Sequence, residues 1–188
     1  MADHLTSVAA SSWVARWAHL IEPRQAILDV ACGQGRHVKL FADIGCLVTA
    51  LDIAHDALHV VASHSPSARA IEADIENAAW PLEGETFDAV VVTNYLWRPL
   101  FPKLLDSLKD GGSLIYETFA AGNETVGKPS RPDFLLQSKE LLSLCADLHV
   151  IAYEEGFLTE PNRFVQRIVA TKLAGKMSAS PRLLRFHL

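Results

Sequence analysis

The sequence predicts an α/β domain built on a doubly wound, mostly parallel sheet, and three observations carry that expectation. The first is residues 27–41, I-L-D-V-A-C-G-Q-G-R-H-V-K-L-F, where a short apolar run passes through a glycine turn into a pattern with helical spacing. The second is the recurrence of strand-like runs at Leu47–Leu51, Ala68–Ala73, Phe87–Thr93 and Ser113–Thr118, with helical segments between several of them. The third is the last pair of β-like runs, Leu148–Glu155 and Phe164–Thr171, joined through Pro161-Asn162 as a hairpin.

Each element follows from its residues. Ser7 to Ile21 reads as a helix, because Val8, Trp13, Trp17, Leu20 and Ile21 recur at helical spacing behind Ser and Thr caps. Trp13, Arg16 and Trp17 are either core or a lid over a ligand. The first strand, Ala26–Cys32, is apolar apart from Asp29. Gly33 and Gly35 then let the backbone turn sharply and approach a ligand closely, and the helix behind them offers unpaired N–H groups. That helix puts Val38, Phe41 and Ile44 on one face. The second strand ends in Asp52, the third in Asp74-Ile75-Glu76 and the fourth in Asn94-Tyr95. A helix over Pro102–Leu108 and the loop Lys109-Asp110-Gly111-Gly112 lead into the fifth strand. A polar loop at 120–134 and a helix over Ser138–Cys145 precede the hairpin. Open α/β sheets bind ligands beyond the carboxyl ends of their strands, so candidate functional residues are sought there.

The form D-x-x-x-G-x-G, made by Asp29, Gly33 and Gly35, resembles motif I of the class I S-adenosylmethionine-dependent methyltransferases. A nicotinamide enzyme fits less well, since Val38 stands where its third glycine belongs and Asp29 lies inside the strand. The F-D-x-V form at Phe87–Val90 is similar to the same family's fourth strand, and the resemblance covers about residues 5–173. It implies a seven-stranded sheet ending in an antiparallel hairpin, with S-adenosylmethionine as cofactor and no metal. It implies cofactor contacts from Asp29, Ala31, Cys32, Gly33, Gly35, Asp52 and Ile53, with Asp52 at the ribose. Asp74 and Ile75 are then placed at the adenine edge, and Asn94 beside the sulfonium. A carboxylate such as Asp52 suits a ribose because it accepts from both hydroxyls at once.

Methyl transfer from a sulfonium is an in-line displacement, so positioning dominates and a base is needed only where the acceptor must lose a proton. Residues at the ends of the fourth and fifth strands are the candidates. Tyr95, Arg98 and Glu117 are named as catalytic, and Tyr95, Trp97, Arg98, Tyr116, Thr118, Asn123 and Arg131 as the acceptor pocket. Asn94-Tyr95-Leu96-Trp97 lacks the N/D-P-P-Y/F signature of adenine and glutamine N-methyltransferases, and no cysteine stands where a cytosine-C5 enzyme needs one. The D-x-A-C-G-x-G-R form resembles small tellurite-resistance and thiol-type methyltransferases, which implies a small-molecule acceptor. An RNA or protein acceptor, or a non-catalytic cofactor-binding subunit, stands as the alternative.

Composition agrees with one domain over 1–175 and an extension at 176–188 that carries Arg182 and Arg185. With 188 residues, 49% of them hydrophobic, the chain can bury a substantial core. A formal charge of −5 gives no broad basic face for nucleic acid. Met1-Ala2-Asp3-His4 has no signal-peptide character and no span is apolar enough for a membrane helix, so a cytoplasmic monomer or homodimer is expected. Cys32, Cys46 and Cys145 read as reduced thiols without metal-ligand spacing.

Overall fold

The computed structural model describes residues 9–174 and Phe186. Seven strands form one sheet: β1 (Ala26–Val30), β2 (Leu47–Asp52), β3 (Arg69–Glu72), β4 (Phe87–Thr93), β5 (Leu108–Phe119), β6 (His149–Thr159) and β7 (Asn162–Thr171). Their order is β3-β2-β1-β4-β5-β7-β6. The first five are parallel, and β7 enters antiparallel between β5 and β6, as the expected terminal hairpin. The helices are α1 (Ser12–Trp17), α2 (Arg36–Ile44), α3 (His55–His64), α4 (Phe101–Asp106) and α5 (Glu140–Leu144).

Strand periodicity sorts the core into two layers, because successive residues point to opposite faces. Leu28, Val30, Val90, Val92, Leu114 and Tyr116 pack against Leu104 of α4 and Leu141 of α5. Ile27, Ala89, Val91 and Ile115 pack on the other face, against Trp13 and Trp17 of α1, Val38 and Phe41 of α2, and Val61 of α3. Trp13 and Trp17 are each 1% exposed and meet edge to face at 5.7 Å, which settles them as core rather than lid.

Element boundaries differ from expectation where tertiary contacts decide them. The first helix begins at Ser12, because Ser11 is extended and its Oγ accepts from the Trp13 N–H at 3.2 Å. Ser7 and Val8 lie outside the described residues, as do Arg182 and Arg185. The expected loop 109–112 is a bulge within β5: Gly111 has φ +83°, its N–H donates to Lys172 O at 2.7 Å, and the register with β4 shifts between Phe87 and Ala89. The hairpin runs further than its β-like runs, to Thr159 and Asn162.

Candidate cofactor and acceptor site

The glycine turn after β1 holds three residues at positive φ: Ala31 at +51°, Gly33 at +54° and Gly35 at +76°. The two glycines serve different ends. A Cβ at Gly35 would lie 2.6 Å from Val61 Cγ2, so this glycine lets α2 and α3 approach. A Cβ at Gly33 would meet nothing within 4 Å, so Gly33 presents bare backbone to open space. Its N–H donates to Asp52 Oδ2 at 2.7 Å, and Ala54 N–H donates to Oδ1 at 2.8 Å. Both contacts fix the carboxylate and leave each oxygen with further acceptor capacity. The next residue, Ile53, is 63% exposed at the strand tip, an apolar surface covered by nothing in the fold. Cys32 is buried within the turn, and burial raises its thiol well above the usual range, so it is not a nucleophile.

Beyond β3, Asp74 accepts from Glu76 N, Asn77 N and Asn77 Nδ2, each at 3.0 Å. Those bonds, that from the Asn77 side chain foremost, hold it below the usual carboxylate range. Ile75 is partly buried and packs against the core. Asn94, at φ +56° after β4, is exposed beside the turn.

Beneath this rim lies a polar layer. Asp29 is buried, and burial lifts its pKa to about 8, which favours the protonated carboxyl at neutral pH; its Oδ2 has no hydrogen-bond partner. His37 Nε2 accepts from Ser11 N–H at 3.1 Å, which places the ring proton on Nδ1, 4.0 Å from Asp29 Oδ2. Burial first and Arg36 second depress His37 to about 3. At neutral pH the contact therefore joins two uncharged groups and is not an ion pair.

Glu117 is the layer's charged centre and is fully buried. It accepts from Ser11 Oγ at 3.0 Å, Arg163 Nη2 at 3.3 Å and Arg167 Nη1 at 3.3 Å. Arg163 also reaches Asn94 Oδ1 at 3.4 Å and leaves its buried Nε unpartnered, while Arg36 donates to Thr93 Oγ1 at 3.3 Å. The sequence reading missed Ser11, Arg36, Arg163 and Arg167. Spacing on β7 was the available signal, since residues four apart on a strand share a face.

Several candidate acceptor residues are engaged by other parts of the fold. Glu117 is enclosed and paired with two arginines, and so ties the layer together. Arg98 spends its guanidinium on Glu140, with Nε to Oε1 at 2.6 Å and Nη2 to Oε2 at 3.0 Å, and on the carbonyls of Asp133 and Leu135 at 2.7 and 2.9 Å. It is a clamp on the loop. Asn123 is buried, with Nδ2 donating to Pro129 O at 2.9 Å and Oδ1 accepting from Phe164 N–H at 3.2 Å. Tyr116 is buried, stacks on Phe101 at 5.1 Å and donates to Tyr95 O at 2.7 Å. Trp97 packs partly buried against the core.

Three candidates do face open volume. A cleft of about 300 Å³ is lined by Glu76, Asn94, Tyr95, Leu96, Thr118, Phe119, Pro129 and Phe134. A larger one of about 590 Å³ is lined by Phe119, Lys128, Pro129, Ser130, Arg131 and Phe134. Tyr95 and Thr118 therefore border the first and Arg131 the second. The Tyr95 hydroxyl donates to Glu76 Oε1 at 3.1 Å, and burial raises its pKa above the ordinary phenol, so it is a poor base. Among the described residues no group of three His, Cys, Asp or Glu side chains is placed to hold a metal.

Residues 27–112 match the family model described as a methyltransferase domain. A malonyl-[acyl-carrier protein] O-methyltransferase of Enterobacter lignolyticus is 33% identical over 96 residues, which is 51% of this chain and 35% of that protein. A demethylmenaquinone methyltransferase of Renibacterium salmoninarum is 31% identical over 129 residues, 63% of this chain and 54% of that one. The chain thus matches about half or less of the length of these relatives. TehB from Haemophilus influenzae superposes with a TM-score of 0.72 at 21% identity, covering 87% of this chain and 62% of that chain, a likeness of fold.

Proposed function

We propose that this chain, whose residues 27–112 belong to the methyltransferase-domain family and whose sheet has the class I methyltransferase topology, moves a methyl group from S-adenosylmethionine to a small-molecule acceptor. The observation that carries the reading is the Gly33–Asp52 cradle. A carboxylate fixed by two backbone N–H groups stands 2.7 Å from a glycine whose outer face is open. When bound, the cofactor supplies an electrophilic methyl on a sulfonium. The fit rests on two features of this chain: the open backbone at Gly33 and the uncovered Ile53. Asp52 would take the ribose hydroxyls, Ile53 and the Ile75 backbone the adenine, and Asn94 the reacting end.

The chemistry left to the protein is positioning. Tyr95 has a raised pKa and Glu117 is enclosed, so neither candidate base serves. That favours an acceptor already ionised at neutral pH, a thiolate or a carboxylate, which displaces on the methyl axis without general-base help. The named relatives act on malonyl-[acyl-carrier protein] and demethylmenaquinone, neither of which is a nucleic acid. Nor is any helix among the described residues long and apolar enough to cross a membrane.

The test is calorimetric titration with S-adenosylmethionine, S-adenosylhomocysteine and NADH in parallel. Micromolar affinity for the first two with none for NADH supports the reading. Absence of binding by the sulfonium compound and its product removes it. Binding without turnover of any thiol or carboxylate, RNA or protein acceptor would favour a cofactor-binding subunit.

A further inference from the structure

The two clefts beside β4 and β5 adjoin, sharing Phe119, Pro129 and Phe134 in their walls, with Asn94 lining the first and Lys128 and Arg131 the second. Their shared wall is apolar. Phe134 remains 39% exposed, a large hydrophobic side chain left facing solvent by a loop that is otherwise well anchored. The anchoring is specific: Arg98 holds the carbonyls of Asp133 and Leu135, and Asn123 holds the carbonyl of Pro129. The groove wall is therefore preorganised rather than slack, which lowers the entropic cost of filling it.

Charge distinguishes the two ends. The inner end carries Glu76, already matched by the Tyr95 hydroxyl. At the outer end, Arg131 is paired with Asp133 at 2.8 Å and lies over the Phe134 ring at 5.2 Å, whereas Lys128 is exposed and has no hydrogen-bond or ion-pair partner among the described residues. On a chain with a formal charge of −5, an unmatched cation at the mouth of an apolar groove is a local reversal of sign. Building on the methyl-transfer reading above, we infer that the acceptor is an elongated molecule with an apolar body. It reaches Asn94 with its nucleophile and carries a second, anionic group at the far end, met by Lys128.

A fluorescence titration of the full chain tests this with two probes of one shape, 1-anilinonaphthalene-8-sulfonate and uncharged N-phenyl-1-naphthylamine. The expected result is saturable one-to-one binding of both, with the sulfonate roughly tenfold tighter, the size of one or two partly screened charge contacts. Lys128→Glu abolishes that preference and leaves the uncharged probe unaffected, while Phe134→Ser weakens both probes several-fold. Both positions are exposed, so the thermal midpoint should stay within a few degrees of wild type and serves as the folding control. Equal affinity for the two probes, or variants that bind as wild type does, overturns the inference. S-adenosylhomocysteine titration of the same samples separates the failures. Probe behaviour as expected without cofactor binding leaves the groove standing and removes methyl transfer, and the reverse removes the groove alone.

Discussion

The cofactor half of the site and the acceptor half are built by opposite means. Around Gly33 and Asp52 the contacts join residues close in sequence or on adjacent parallel strands, and the partners are backbone N–H groups. Around Glu117 and Arg98 they join side chains from distant elements, such as Arg98 with Glu140 and Arg163 with Asn94. One half is a property of a turn, and the other exists only after the whole sheet has closed. Mutations should therefore separate them, with stability lost in the acceptor half and affinity in the cofactor half.

The sharpest break is Glu117→Ala. It leaves Arg163 without its carboxylate beside a void while Arg167 keeps Glu154, and loss of one member of a buried charge cluster costs about 3–5 kcal/mol. Chemical denaturation should show that loss, and a stable variant lacking only turnover would restore Glu117 to catalysis. Asp52→Ala should fall on the other side, weakening S-adenosylhomocysteine by roughly a hundredfold, the worth of two charge-assisted hydrogen bonds, while the unfolding midpoint moves little. Undiminished calorimetric affinity would remove Asp52 from the site.

Within the turn, the two glycines divide the same way. Gly35→Ala forces a Cβ to 2.6 Å from Val61 Cγ2 at φ +76° and should cost about 2 kcal/mol of stability. Gly33→Ala meets no neighbour, so it should cost about 1 kcal/mol of stability and act mainly on cofactor affinity. Matching profiles for the two variants would erase the distinction drawn between them.

The smallest effect is the pH dependence set by Asp29 and His37. Asp29 is raised to about 8, so between its unfolded value near 3.8 and pH 8 the native state binds the extra proton and stability falls as pH rises. His37 is depressed to about 3, so between pH 3 and its unfolded value near 6.5 the unfolded state binds the proton and stability rises with pH. The two slopes oppose each other from about pH 4 to 6.5, which leaves a decline from 6.5 to 8 on the order of 1 kcal/mol. Asp29→Asn should flatten that decline in thermal melts, and a decline that persists would assign it to other groups.

Legibility in the sequence followed the same division. The order of elements was readable because strand and helix periods are local, and β4 lies where Phe87–Thr93 placed it. The turn itself was readable because the positive-φ glycines at 33 and 35 are a local signal, while the contact of Gly33 with Asp52 needs the pairing of β1 with β2. The partners of Arg98, Tyr116 and Asn123 were not readable, because positions at strand ends and in the following loop say nothing of which partner arrives. Arg98 finds Glu140, and Tyr116 finds the carbonyl of Tyr95. Arg163 and Arg167 went unseen because their meaning depends on the pairing of Glu117 with Arg167 across antiparallel strands.

That pairing also has a temporal side. β7 is the last strand of the sheet in sequence, yet it occupies an interior position, and among the described residues β6 pairs with no other strand. While the chain is being synthesised, β5 must wait as an unguarded edge, and Glu117 must wait as a lone anion in an apolar setting, until residues 162–171 have left the ribosome. The interval between translating β5 and β7 is then the period in which that edge of the nascent sheet is open to edge-to-edge association.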